Sequence, residues 1–310
     1  MIRVVLCALF ICATTQSATY QLMWQDEFNQ FSSGLYNRWD INRNNWNVEV
    51  VNNPQNNEIQ QYRDNRDNVR IEVDTTDISD GILVLEARKQ NNTQNLGAWT
   101  SGRINSLNKV YFTYGKVEVS AKLPGLLGSW PAIWMLGNNF NSVGWPASGE
   151  IDIMEMGRNT GWNYINSTVH WQYNGHASYG TGNYQSGNPL LLSSASTAFH
   201  IYTLEWTPTS IKTYVDGNYL WSINLPVPGI DPFDNPFFIV LNNAMGGDIG
   251  GTVDVSGSSS RFEIDYVKVY QSTDYPQSTL AIPEPAGNTL FLTAVLGLMV
   301  AKKLNKKEVK

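Results

Sequence analysis

Tyr114-Gly-Lys-Val-Glu-Val-Ser-Ala-Lys-Leu123 alternates with a period of two: Val117, Val119 and Ala121 point one way, and Lys116, Glu118 and Ser120 point the other. That period belongs to a strand with one buried face, because successive side chains on a strand leave opposite faces. Gly81–Arg88 and Arg261–Tyr270 are patterned in the same way. Between them, Ile211–Ile223 carries Asp216-Gly217 amid β-branched and aromatic residues, a hairpin signal. Gly and Pro punctuate the chain, and no stretch sustains a helical period. The fold expected is all-β, a two-sheet antiparallel β-sandwich over residues 19–271, with no internal repeat or linker inside it.

Composition sets outer bounds. The chain has 310 residues, 42% hydrophobic, 12% aromatic and 15% charged. That excludes a disordered, collagen-like or coiled-coil protein and leaves room for a large core. Asn, Ser, Thr, Gly, Trp and Tyr fill the places of charged residues, a surface suited to neutral polar ligands.

Both ends read as processing segments. Residues 1–18 hold Arg3, an apolar run from Val4 to Ala13 and then small and polar residues, the pattern of a secretory signal peptide. Cys7 and Cys12 fall inside it, so the mature chain is expected to have no disulfide and no thiolate chemistry. At the other end, Pro283-Glu284-Pro285 precedes an apolar run from Leu290 to Ala301 and a lysine cluster. The run is shorter than the roughly 20 residues of a stable span, yet a positive end after it fits membrane insertion. Residues 283–310 resemble the PEP-CTERM sorting signal of exported Gram-negative proteins, and 272–282 read as a linker to it. The resemblance implies an exported protein, secreted or at the cell surface, with a transient membrane association before processing. Taking away Arg3, five tail lysines and Glu308 leaves 15 basic and 26 acidic residues, a net charge of −11. An acidic domain argues against nucleic acid and other polyanions as partners.

The chemistry concentrates in Trp145–Gly157, WPASGEIDIMEMG. Glu150 and Asp152 share one face of a regular strand, whereas Glu155 falls on the other, in the core. An unpaired carboxylate there would cost several kcal/mol. A one-residue β-bulge near Met154 returns Glu155 to the face of the other two. Three carboxyls in a row then suit a retaining glycosidase, in which one is nucleophile and one acid/base, with like charge raising at least one pKa. The same row also reads as a cation site or a solvated acidic strand.

Glu-Ile-Asp-Ile-Met-Glu155 after Trp-Pro-Ala-Ser-Gly149 resembles the active-site signature of glycoside hydrolase family 16, in its bulged laminarinase-type form. Trp24-Gln-Asp-Glu-Phe28, Asn56-Asn-Glu-Ile-Gln60, Thr100-Ser-Gly-Arg-Ile104, Trp130-Pro-Ala-Ile-Trp134, Phe199–Trp206 and Asp265–Tyr270 extend the similarity over nearly the whole middle. The resemblance implies a curved jelly roll whose concave face holds a glycan. It implies Glu150 as nucleophile, Glu155 as general acid/base and Asp152 as the residue that tunes both. Trp130, Trp134 and Trp206 match positions where aromatic faces stack on sugars. Asn57, Arg103, Asn242 and Glu205 match cleft positions, and His170 matches a cleft histidine near the acid/base. Asn243 replaces the apolar residue usual after Asn242. His176 and His200 carry no site signal, and no histidine-based metal site is expected. A structural calcium on the convex side would use Asp265 and backbone oxygens near Glu27 and Gly81; catalysis needs no cofactor.

The function expected is an exported, monomeric endo-glycosidase that cleaves β-1,3 bonds of a neutral laminarin-like or mixed-linkage β-glucan with retention. The alternatives are a galactan (agarose-type) hydrolase, a glycan transglycosylase, and a non-catalytic β-glucan-binding protein, which would lack one or both glutamates.

Overall fold

The structure is a computed structural model that describes residues 19–29, 40–73, 80–181, 190–275 and 280–281. The expected signal peptide, the sorting signal and most of the linker lie outside these residues. The alternating segment forms strand Gly115–Lys122, with Val117, Val119 and Ala121 essentially fully buried. Its opposite face carries Lys116 and Glu118, ion-paired at 2.6 Å. Burying each such valine contributes on the order of 1.5–3 kcal/mol, which fixes the strand's register against the core.

Two sheets pack face to face. The outer sheet runs, in spatial order, Asn218–Asn224, Ser210–Val215, His200–Thr207, Gly115–Lys122, Ser259–Ser272, Gly81–Lys89, Trp99–Ser101 and Gln60–Tyr62. The cleft sheet runs Ala177–Gly180, Tyr164–Trp171, Glu150–Glu155, Ser129–Gly137, Phe237–Met245, Arg103–Asn105 and Asn47–Val48. The pairings along both rows are antiparallel except Gln60–Tyr62 with Trp99–Ser101. Among the described residues, helix is confined to the single turns Phe140–Val143 and Gly247–Gly250, and no helix is long and apolar enough to cross a membrane. The architecture is the expected all-β jelly-roll sandwich.

The hairpin forms as expected. Val215 pairs with Asn218, and Asp216 and Gly217 between them have φ of 51° and 74°. Both are left-handed, as a two-residue turn matched to strand twist requires. Leu280–Ala281, within the expected linker, pairs with Tyr111–Phe112 beside the cleft sheet.

The long buried strand Phe237–Met245 is the backbone of the cleft sheet, paired with Ser129–Gly137 along nine residue pairs without a slip. Asn243, the polar residue in an apolar position, is fully buried on its inner face. Its amide donates to Leu85 O at 3.2 Å and Ser260 O at 3.0 Å, tying the two sheets together. Asn242 therefore faces the cleft, in the expected register.

Candidate active site

Strand Glu150–Glu155 lies between Ser129–Gly137 and Tyr164–Trp171. On one side Leu136 opposes Glu150, Trp134 opposes Asp152, and Ile133 opposes Met154, so Ile153 is passed over. On the other side Asp152 opposes Thr168 and Glu155 opposes Asn166, three steps against two. That is a one-residue bulge at Ile153–Met154. It drives Ile153 and Met154 both into the core, with Ile151. Glu150, Asp152 and Glu155 all emerge into a cleft of about 690 Å³. The Asp152 carbonyl accepts a hydrogen bond from the Ser167 hydroxyl at 2.7 Å, which pins the strand at the bulge.

Burial is the first cause of the electrostatics. It pushes each carboxyl up to about 8: Glu150 and Glu155 are raised first by desolvation and then by the charge of Asp152, and Asp152 by desolvation. The expectation that crowding would raise these values holds only as the secondary effect. Opposing it, Trp145 hydrogen-bonds Glu150, and Trp130 Nε1 donates to Glu155 Oε1 at 2.9 Å. A row that retains protons near neutral pH can protonate a leaving group, and the donors aimed at each glutamate favour its charged form in turn.

Five of the eight expected substrate residues converge here. Trp130 and Trp134 line the cleft, and Trp134 Nε1 donates to Asn242 Oδ1 at 2.7 Å. Asn242 in turn donates to the Tyr62 hydroxyl at 3.3 Å. Arg103 reaches the same wall, with its guanidinium 5.0 Å from the Trp134 ring centre and paired to Glu49 at 3.2 Å. His170 Nε2 stands 3.2 Å from Asp152 Oδ2 and 3.8 Å from Glu150 Oε1.

Three do not reach the cleft. Trp206 is fully buried between the sheets, against Tyr114, Phe237 and Phe112, with its Nε1 donating to Phe233 O at 3.1 Å. Its strand, His200–Thr207, belongs to the outer sheet, so its even positions enter the core. Glu205, one residue away, leaves by the outer face, where the Tyr214 hydroxyl donates to it at 2.9 Å. Asn57 is turned aside by two consecutive left-handed residues, Asn56 and Asn57, and its amide donates to Asp248 Oδ1 at 2.7 Å. Asn56 and Glu58 line the cleft in its place.

Glu27, Gly81 and Asp265 come together at one end of the outer sheet. Asp26 pairs with Val267 and Leu83 with Ile264, and the register slips at Asp265. The charges of both Asp265 and Glu27 act on Tyr266. The Glu27 carboxylate is held by Lys268 at 3.1 Å, which leaves its backbone oxygen as the donor to consider.

Other residues were not singled out in the sequence. Glu58 accepts hydrogen bonds from Gln60 and from the Tyr62 hydroxyl, and burial pushes its carboxyl up. His176, assigned no role, faces His170 with Nε2 2.9 Å from Nδ1, and both imidazoles lie beside the Trp145 ring. Glu58 sat inside a cleft-matching segment, so its signal was present. His176 is brought to the site by a turn, six residues along from His170, and no local pattern announced it.

Comparison with known proteins agrees with this geometry. The sequence profile described as glycosyl hydrolases family 16 matches residues 50–268. The chain is 34% identical over 267 residues to the beta-glucanase of Rhodothermus marinus, covering 81% of this chain and 85% of that protein. It is 34% identical over 280 residues to the glucan endo-1,3-beta-glucosidase of Cryptopygus antarcticus, covering 84% and 95%. LamA of Zobellia galactanivorans, solved in complex with laminaritriose and laminaritetraose, superposes with a TM-score of 0.67 at 33% identity, over 81% of this chain and 98% of that one.

Proposed function

The chain belongs to the glycosyl hydrolases of family 16, and from that premise we propose that it cleaves internal β-1,3 bonds of a laminarin-like or mixed-linkage β-glucan with retention. The observation that carries the proposal is the bulge that turns Glu150, Asp152 and Glu155 into one cleft. Protonated Glu155 gives its proton to the glycosidic oxygen while the Glu150 carboxylate attacks the anomeric carbon. The bond to the leaving sugar breaks, and a glycosyl ester forms on Glu150. Glu155, now charged, takes a proton from water as that water attacks the same carbon and frees Glu150. Two inversions restore the β configuration. Trp130 orients Glu155 through its 2.9 Å hydrogen bond, and Trp134 offers an aromatic wall for the apolar face of a sugar. The preference for β-1,3-glucan is supported by the Cryptopygus relative and by the laminari-oligosaccharides bound to LamA, and the Rhodothermus relative supports a β-glucan more broadly.

A monomeric, acidic domain that binds a neutral polymer is part of the proposal: this chain by itself supplies all three acids and their bonded neighbours, so the site requires no second copy. Export is part of the same proposal and rests on the residues of 1–18 and 283–310, with membrane association lasting only until the tail is removed. A structural calcium fits the chemistry of the Glu27, Gly81 and Asp265 positions: a carboxylate and backbone oxygens that the register brings to one place. It would brace the sandwich and take no part in the reaction.

Product analysis on laminarin, lichenan, agarose and xyloglucan in parallel tests the assignment. Oligosaccharides should appear from laminarin. Cleavage of agarose alone would transfer the enzyme to the galactanases, and chain transfer without net hydrolysis on xyloglucan would make it a transglycosylase.

A further inference from the structure

The histidine pair beside the acid row has no step in hydrolysis. His170 Nε2, Asp152 Oδ2 and Glu150 Oε1 point at one another, and one ligand atom from each residue lies within 4.8 Å of the other two. Two of the separations are 3.2 and 3.8 Å. Tetrahedral zinc with bonds of about 2.0–2.1 Å to nitrogen and oxygen has ligand–ligand edges of about 3.3 Å. Asp152 is only 3% exposed, and its Oδ2, aimed at this point, receives no hydrogen bond among the described residues. A buried carboxylate oxygen without a donor is a polar atom in want of a partner. The second histidine completes the picture: His170 Nδ1 is 2.9 Å from His176 Nε2, with the two ring planes 17° apart and their centres 5.1 Å apart, as for an in-plane hydrogen bond between the rings. With Nδ1–H donated to His176, the His170 Nε2 lone pair faces the two carboxyls. Metal-binding imidazoles are commonly held in this way by a partner on the far nitrogen.

We propose that Glu150, Asp152 and His170 bind a single borderline transition-metal dication, Zn²⁺ or Cu²⁺, with His176 as the residue that positions His170, and that the bound ion reversibly inhibits the enzyme. One imidazole with two carboxylates suits these ions, whereas calcium and magnesium seek oxygen ligands alone. The ion occupies the nucleophile and its neighbour, so it competes with substrate, and a chelator restores hydrolysis.

Equilibrium dialysis of the full chain against Zn²⁺, in chelator-free buffer, should show about one saturable equivalent that excess Ca²⁺ does not displace. Cu²⁺ should quench the fluorescence of Trp145, whose ring lies 4.6 Å from His176. Zn²⁺ should raise KM for laminarin and leave kcat unchanged. His170→Ala should remove the saturable site, and His176→Ala, an exposed change that spares the fold, should weaken Zn²⁺ binding about 10–100-fold. Glu155→Gln lies outside the ligand set and should bind Zn²⁺ as the wild type does, so binding is read independently of hydrolysis. Unchanged Zn²⁺ affinity in either histidine variant, lost binding in Glu155→Gln, or saturating Zn²⁺ without inhibition would overturn the proposal.

Discussion

Asp152→Asn should make the protein more stable as it makes it inactive, and the gain should depend on pH in a defined way. The Asp152 carboxyl rises from an ordinary 3.8 to about 8 because the fold buries it. A carboxyl raised in the folded state favours folding fully below its unfolded pKa, and that contribution is lost as pH climbs toward the folded pKa. Between 3.8 and about 8 the unfolded chain ionises Asp152 and the folded one does not. Each pH unit in that window therefore costs about 1.4 kcal/mol, which reaches roughly 4 kcal/mol by pH 7. Water entering from the cleft and proton sharing with Glu150 and Glu155 reduce this, so a gain of about 1–4 kcal/mol is expected at neutral pH. Asparagine keeps the shape and cannot ionise, and its amide can donate to His170 Nε2, 3.2 Å from the present Oδ2. Urea unfolding with chelator present, at pH 4, 5.5, 7 and 8.5, measures the gap between variant and wild type. The gap should be near zero at pH 4, widen through pH 7 and level off above about 8. A gap of constant size, or a variant less stable than wild type at pH 8.5, would refute the burial argument.

Trp206→Ala should cost about 3–5 kcal/mol in denaturant unfolding, because the ring fills the space between the sheets, yet leave KM of the folded enzyme unchanged. Trp130→Phe removes the donor that favours charged Glu155, so the alkaline limb of the kcat/KM profile should move to higher pH; movement to lower pH would reverse the assigned sign. Glu155→Ala should lose less activity on a substrate with a good leaving group, and added azide should yield a β-glycosyl azide, seen by mass spectrometry and NMR. Chelation should lower the Tm of the wild type and leave that of Asp265→Ala unaffected; equal melting of wild type with and without chelator would remove the calcium.

The sheets were legible wherever one face of a strand is buried. Gly115–Lys122 and the Asp216-Gly217 hairpin could be read from their neighbours alone, because burial and turn geometry act over a few residues. The bulge was legible for an energetic reason: three acids in an apolar strand admit no regular register with all of them solvated. What sequence could not assign was which sheet a strand joins. Trp206 and Trp134 occupy equally aromatic, equally strand-like surroundings, but one strand lies in the outer sheet and the other across the cleft, and only long-range pairing decides that. Asn57 misses the cleft for a smaller cause, the two consecutive left-handed residues Asn56 and Asn57 that rotate its side chain aside. His176 depends on a turn that folds back onto His170, a contact between surfaces and not a motif. The weight given to like-charge crowding had a similar origin, because depth of burial is a property of the assembled sheets.

The most direct test is the anomeric configuration of the first product. Proton NMR of the wild-type enzyme acting on laminari-oligosaccharides, recorded before mutarotation, should show the β anomer appearing first and the α anomer growing later. An α anomer appearing first would mean a single inversion, with no ester on Glu150, and would contradict the roles assigned to Glu150 and Glu155 across the bulge.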